Sequence, residues 1–194
     1  MSSHIWMEPT HMHFHTGHVA QIKLYRGEMM QPQPLADVEA ELKLYKPDGT
    51  EERLISGEIK DDYYLINFEP ETEGFYTLTA RDVNGCYAKI IVPVGHHLQG
   101  PVNPVGEDLE VTPDFVQEYH LKDMIKISVS AAGNPLADAS IKATYHFYDG
   151  NDYPYTFFAD ASGRAQFIFP EKGHWMFAVT SEGRRATYVV MGVR

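Results

Sequence analysis

Five of the chain's ten histidines fall within its first 18 residues, at His4, His11, His13, His15 and His18. His11, His13 and His15 are spaced i, i+2, i+4, with Met12 and Phe14 between them. On a strand that spacing sets three imidazoles on one face, neighbours roughly 7 Å apart, and turns Met12 and Phe14 to the other face. Neutral imidazole suits Ni, Co, Cu and Zn; two neighbours can share one ion, while the third needs strand twist or a second ion. The alternative makes Met12 and Phe14 core residues and leaves the imidazoles on a solvated face. His4 has its own route to chelation. With Met1 removed, the Ser2 amine, two backbone amides and the His4 imidazole form a square-planar N4 set for Cu(II) or Ni(II). Against it stands a frayed terminus with an idle ring. Glu8 either adds an oxygen ligand or is a solvated charge at a strand end. Affinity of such sites falls as pH drops below about 6.5, where imidazole gains its proton.

The other histidines read differently. His96 and His97 are adjacent, and in an extended chain their side chains point opposite ways, so one of them at most reaches a site at a domain junction. His146 and His174 align with aromatic residues in an internal repeat, which favours half-buried sheet positions. His120 reads as a surface residue. Met7, Met12, Met29 and Met30 are soft thioether donors for Cu(I) or fillers of core gaps. The aromatics from Tyr145 to Phe158 alternate between core and an exposed patch suited to a sugar or a partner. Cys86, the one cysteine, reads as a packed thiol and excludes an intrachain disulfide. No nucleophile elbow, P-loop or dinucleotide fingerprint is present, so the chain reads as a non-enzyme.

The elements that must position these groups are strands. Period-2 alternation recurs over Val19–Tyr25, Val38–Tyr45, Tyr63–Phe68, Phe75–Ala80 and Tyr87–Val92. It returns over Met124–Val129, Ser140–Phe147, Tyr155–Ala159, Ala165–Phe169, Trp175–Thr180 and Ala186–Met191. Turn residues such as Pro47-Asp48-Gly49, Val83-Asn84-Gly85 and Ala161-Ser162-Gly163 separate them. A short helical turn is expected around Asp114–Tyr119. The pattern predicts an all-β chain of two tandem immunoglobulin-like β-sandwich domains. Residues 1–93 form the first, 94–108 a Gly- and Pro-containing linker, and 109–194 the second. The halves also repeat each other. Pro34-Leu35-Ala36-Asp37 matches Pro135-Leu136-Ala137-Asp138, Asp48-Gly49 matches Asp149-Gly150, and Gly74-Phe75-Tyr76 echoes Gly173-His174-Trp175.

Composition narrows the classes further. The 194 residues carry 16 Lys plus Arg against 27 Asp plus Glu, a formal charge of −11. That excludes a phosphate-backbone binder, which needs a basic stripe, and suits a protein whose field attracts cations. Hydrophobic residues are 43% of the chain, enough for real cores, yet no run approaches the length of a membrane helix. No signal peptide opens the sequence, so either the protein is cytoplasmic or the chain starts at a mature end with an added methionine.

His4-Ile5-Trp6-Met7-Glu8-Pro9, then Leu42-Lys43-Leu44-Tyr45 with Pro47-Asp48-Gly49 and Glu73-Gly74-Phe75-Tyr76-Thr77-Leu78, resembles a known family. The family it resembles is the periplasmic component of ABC-type cobalt/nickel uptake. In the second half, Asn134-Pro135-Leu136-Ala137-Asp138-Ala139, Tyr153-Pro154-Tyr155-Thr156, Asp160-Ala161-Ser162-Gly163-Arg164-Ala165 and Gly173-His174-Trp175 fit its C-terminal domain, which is similar to the transthyretin-like or carboxypeptidase-regulatory-like sandwich. The resemblance implies a periplasmic or secreted protein handling Ni or Co, with His4 at the family's N-terminal position. His11, His13, His15 and His18 fall outside that pattern.

The expectation is therefore an extracytoplasmic binder of Ni2+ or Co2+, with Cu2+ or Zn2+ as further candidates, through His4, His11, His13, His15 and His18. Its partners are the metal ion and a membrane metal transporter, with no nucleic acid and no membrane insertion. Competing readings are a structural or adhesive sandwich that binds carbohydrate or a protein, and a copper-dependent redox enzyme built on an N-terminal His.

Overall fold

The computed structural model describes residues 3–35, 39–53 and 57–194, and among them every regular element is a strand. The first half contains β1 (His4–Pro9), β2 (Ala20–Glu28), β3 (Gln31–Pro32), β4 (Ala40–Tyr45), β5 (Glu51–Arg53), β6 (Gly57–Ile59), β7 (Tyr64–Phe68), β8 (Gly74–Asp82) and β9 (Cys86–Val94). After β10 (Gly100–Pro101), the second contains β11 (Glu110–Pro113), β12 (Phe115–Val116), β13 (Met124–Ala131), β14 (Asn134–Pro135), β15 (Ser140–Tyr145), β16 (Tyr155–Phe158), β17 (Arg164–Ile168), β18 (Gly173–Ser181) and β19 (Arg184–Val193). Each alternating run in the sequence contains a strand, because at least one face of each meets a core. The expected helical turn at Asp114–Tyr119 does not form. Phe115–Val116 is extended and pairs with Gly100–Pro101 instead. Ala36, Asp37 and Val38, in the first Pro-Leu-Ala-Asp turn and the strand after it, lie outside the described residues.

The repeat is visible as topology. In the first half β1 and β7 flank β2, β3 pairs with the end of β2, and β5-β4-β8-β9 form the facing sheet. In the second half β11 and β17 flank β13, β14 pairs with the end of β13, and β16-β15-β18-β19 face them. The Gly-x-aromatic echo has a shared job. The Tyr76 hydroxyl donates to the Thr72 carbonyl at 2.8 Å, and the Trp175 indole N–H donates to the Glu171 carbonyl at 2.9 Å, each tying an aromatic to the backbone four residues upstream. Such a tie is a mark of immunoglobulin-like sandwiches, and that is the fold of this chain.

The two facing sheets are joined. β9 and β19 pair in parallel, Arg185 to Cys86 through Tyr188 to Lys89, and produce one eight-stranded sheet, β16-β15-β18-β19-β9-β8-β4-β5. The cores lie on opposite faces of it. Cys86, Ala88, Ile90 and Val92 of β9 enter the first core, with Ile22, Leu44, Ile66 and Leu78. Tyr87 and Ile91 enter the second, with Trp175, Phe177, Phe169 and Tyr188. A strand buried on both faces needs an almost unbroken apolar run, and Cys86–Val94 has one. Each fully buried Leu, Ile or Phe contributes about 1.5–3 kcal/mol.

The exception in that run, Lys89, is buried and bonded to the Glu110 carboxylate and to Thr112 Oγ1. Burial pulls its pKa down, against the opposing pull of Glu110. Glu110 also accepts the backbone N–H groups of Val105, Gly106 and Glu107 at 2.9–3.2 Å. The stretch read as a linker is thus clamped by a buried ion pair between β9 and β11. β1 completes the junction. Ile5 and Met7 enter the first core, while Trp6 turns outward against Met176 and Val189 of the shared sheet.

Candidate functional site

A cleft of about 300 Å3 opens between the halves, lined by residues 11–14, the segment around His97, residues 115–120 and the end of β19. Phe14 sets its upper wall. The ring is buried in the first core, its backbone bridges Val94, and its carbonyl accepts the Gly95 N–H at 2.9 Å. His11–His15 is therefore a loop pinned at one point, where the spacing suggested a strand. The loop does not give three imidazoles a common face. His11 lies edge-on to Phe14 and His13 lines the cleft, while His15 and His18 are exposed and are not part of its lining. Met12 is 38% exposed rather than a core residue, and rests against Gly192 of β19, a position that leaves room for it by lacking a Cβ.

His13 meets two groups from distant segments. Its Nε2 is 3.9 Å from the Glu118 carboxylate, and its ring centre is 6.4 Å from that of His97. Two imidazoles on one ion, with metal–N bonds of about 2.0–2.1 Å, keep their ring centres roughly 5–6.5 Å apart. Among the described residues, no three His, Cys, Asp or Glu side chains already stand as a closed ligand set. The His13 and Glu118 side chains are half exposed. His97 adopts φ +48°, in the left-handed region, and this folds its ring back to 4.1 Å from that of His96. The expectation that adjacent histidines diverge fails here because the chain is not extended. His120 lines the cleft at its edge, with Nδ1 3.5 Å from Asp123. Glu118 escaped the sequence reading. Its spacing of two from His120 places both on one face of an extended segment, whereas the sequence predicts a helical turn around Asp114–Tyr119.

His4 lies apart from the cleft. It is 8% exposed, edge-on to Tyr153 at 6.2 Å, and its pKa is lowered to about 4, first by burial and then by Arg185 and Lys142. The preceding Ser3 carbonyl accepts from Arg185 at 2.7 Å and from the Cys86 thiol. Cys86 is buried, as its sequence context suggested, and burial raises its pKa. The Ser2 amine of the square-planar set lies outside the described residues. Glu8 is partly buried, and burial raises its carboxyl pKa against Lys23 and the Trp6 indole.

His146 and His174 stack at 4.4 Å. His146 Nδ1 accepts the His174 N–H at 2.8 Å, and His174 Nδ1 accepts the Gly192 N–H at 2.9 Å. Each ring therefore keeps its proton on Nε2, which removes both lone pairs from metal chemistry.

A profile of the family described as Domain of unknown function (DUF4198) matches residues 85–183. The chain belongs to that family. The DUF4198 match begins at β9, the strand that both cores share, and runs to the turn between β18 and β19. No curated protein matches the sequence. Among solved structures, the chain is similar to Salmonella alpha-2-macroglobulin reacted with methylamine (TM-score 0.39, 14% identity, 100% of this chain and 15% of that one). It is also similar to the D0-D1 domain of Intimin (0.32, 9%, 97% and 95%) and to the Yersinia pseudotuberculosis adhesin InvE (0.31, 14%, 97% and 58%). The chain spans about 15% of the length of that macroglobulin. Among the described residues no helix is long and apolar enough to cross a membrane.

Proposed function

We propose that this protein captures a divalent transition metal outside the inner membrane, Ni(II) or Co(II) before Cu(II) or Zn(II), and hands it to a membrane transporter without a covalent step. The observation that carries this reading is the approach of His13, His97 and Glu118, three groups from three segments, at the mouth of one cleft. Two imidazoles and a carboxylate are a fitting donor set for these ions, and the weak closure of the set suits release as well as capture. His11 and His120 stand beside it as exchange partners, and the net charge of −11 concentrates cations nearby. The resemblance to the cobalt/nickel uptake component fits this role, and His15 and His18 fall to the periphery.

Calorimetric titration of metal-free protein with the four ions tests it. One saturable site tighter than about 1 μM, roughly −8 kcal/mol, is expected. Replacing His13 and His97 together with Ala should weaken binding by about 100-fold or more, and E118Q by about tenfold. Replacing His15 and His18 should leave it unchanged; equal losses from that pair would sink the cleft as the site.

A second reading has its own observation. Phe147 and Phe158 are 70% and 67% exposed, while Tyr145, Tyr155 and Phe157 pack on the second core. Two bare rings on the second half suit an adhesive contact with a sugar or a protein. A glycan screen in which F147A and F158A abolish a positive signal would favour it over metal capture.

A further inference from the structure

A second group of candidate ligands is buried beneath β1. His4 Nδ1 is fully enclosed and has no hydrogen-bond partner, and the same is true of the Tyr153 hydroxyl and Thr144 Oγ1. Orphaned buried polar atoms are rare in a folded protein, and a bound water or ion is among the things that account for them. They gather at one place. Tyr153 meets the His4 ring and packs on a cluster that contains Trp6, Met30 and Met176, with Met191 against its margin. Thr144 stands opposite Met176 in the β15–β18 register, and Trp6 shares the His4 face of β1. Met30 arrives by an unusual route. Met29 and Met30 form the tip of the β2–β3 hairpin with φ +48° and +61°, a turn that normally takes Asn-Gly. Met30 is nonetheless 7% exposed, turned inward.

We infer that this junction is a binding site for a soft monovalent ion, Cu(I), held by His4 Nδ1 and the thioethers of Met30 and Met176, with Met191 beside them. Imidazole and thioether together select Cu(I) over hard or borderline divalent ions. The positive groups nearest His4, Arg185 and Lys142, oppose a divalent guest more strongly than a monovalent one. Burial first, and these two groups after it, keep the imidazole neutral, with its lone pair free. Met191 and Val189 line the cleft as well as meeting this cluster, so the cleft floor is the way in. The site shares no ligand with His13, His97 and Glu118, and each proposal can fail alone.

The test is competition of the full chain, under reductant, against bicinchoninate for Cu(I), with Ag(I) as a redox-silent probe followed by methionine methyl NMR. One equivalent of Cu(I) should be withdrawn from the chelator. Ag(I) should shift the methyl signals of Met30, Met176 and Met191 and leave exposed Met124 in place. H4Q, M30L and M176L should each weaken binding by about tenfold or more. Leu keeps the apolar volume, so M30L and M176L report on the thioether even if H4Q fails to fold. A variant with Ala at His11, His13, His97 and His120 should still bind Cu(I). The proposal is overturned if the chelator keeps its copper, if the shifted methyl is Met12 alone, or if M30L and M176L bind like the parent chain.

Discussion

The most consequential single residue is His4. Its imidazole is neutral and buried, with a folded-state pKa of about 4 against 6.5 when exposed. Between those values the unfolded chain binds the proton and the folded chain does not, so stability falls as pH drops from 6.5 toward 4. The shift corresponds to about 3 kcal/mol. His174 acts in the same direction, because burial, then His146, lower its pKa, and its protonation breaks the bond from Gly192. Urea midpoints measured from pH 7 to pH 4.5 should therefore decline steeply, and H4Q should flatten much of that decline. An unchanged slope in H4Q would mean that the ring is already protonated or solvated in the folded protein. The same residue shows the limit of pattern reading. His4 was legible as a ligand candidate from its type, but its burial depends on Tyr153, Lys142 and Arg185, which lie more than 130 residues away in the chain.

At the scale of elements, β9 organises the molecule. It supplies side chains to both cores and a hydrogen-bonded edge to β19. A fragment from Cys86 to Arg194 keeps Tyr87, Ile91 and Lys89 with the second half, whereas one beginning near Gly106 loses them and bares β19. The longer fragment should unfold cooperatively at higher temperature than the shorter. Equal melting would show that β9 adds nothing to the second sandwich. The Lys89–Glu110 pair makes a sharper claim. E110Q leaves a buried ammonium without its counter-charge and loosens the clamp on residues 105–107, at a cost of about 3–5 kcal/mol. Converting both partners to apolar residues of similar size should restore most of that loss, as a double-mutant cycle in urea would show. A small effect from E110Q alone would mean that Lys89 sheds its proton when the partner goes.

At the scale of the whole molecule, the proposed metal capture would have the acidic charge and the cleft act together. A net −11 field draws divalent ions toward every face, while the converging histidines are at one junction. The association rate for Ni(II) should fall by about tenfold between roughly 10 mM and 0.5 M salt, as the Debye length shrinks from about 30 Å toward a few ångströms. Stopped-flow mixing measures this directly, and a salt-independent rate would remove steering from the account. Joining the two sandwiches through a shared sheet also gives the cleft walls from both halves a common frame.

The strands and most turns were settled by the sequence alone, because alternation and Gly, Pro, Asn and Asp signals act over a few residues. The repeat was legible for the same reason, since Gly74-Phe75-Tyr76 and Gly173-His174-Trp175 carry the same local tie. The chain's histidine count also motivated the metal capture proposed above. Which histidines meet was decided only in three dimensions. Phe14 pins the 11–15 loop to Val94, His97 turns its ring through a left-handed backbone, and Glu118 approaches because Phe115–Val116 pairs with Gly100–Pro101 instead of coiling. The parallel β9–β19 pairing was equally hidden, for it joins two strands about 100 residues apart whose apolar runs suit any buried neighbour. Local geometry is written into neighbouring residues, whereas convergence between distant segments depends on how whole sheets pack.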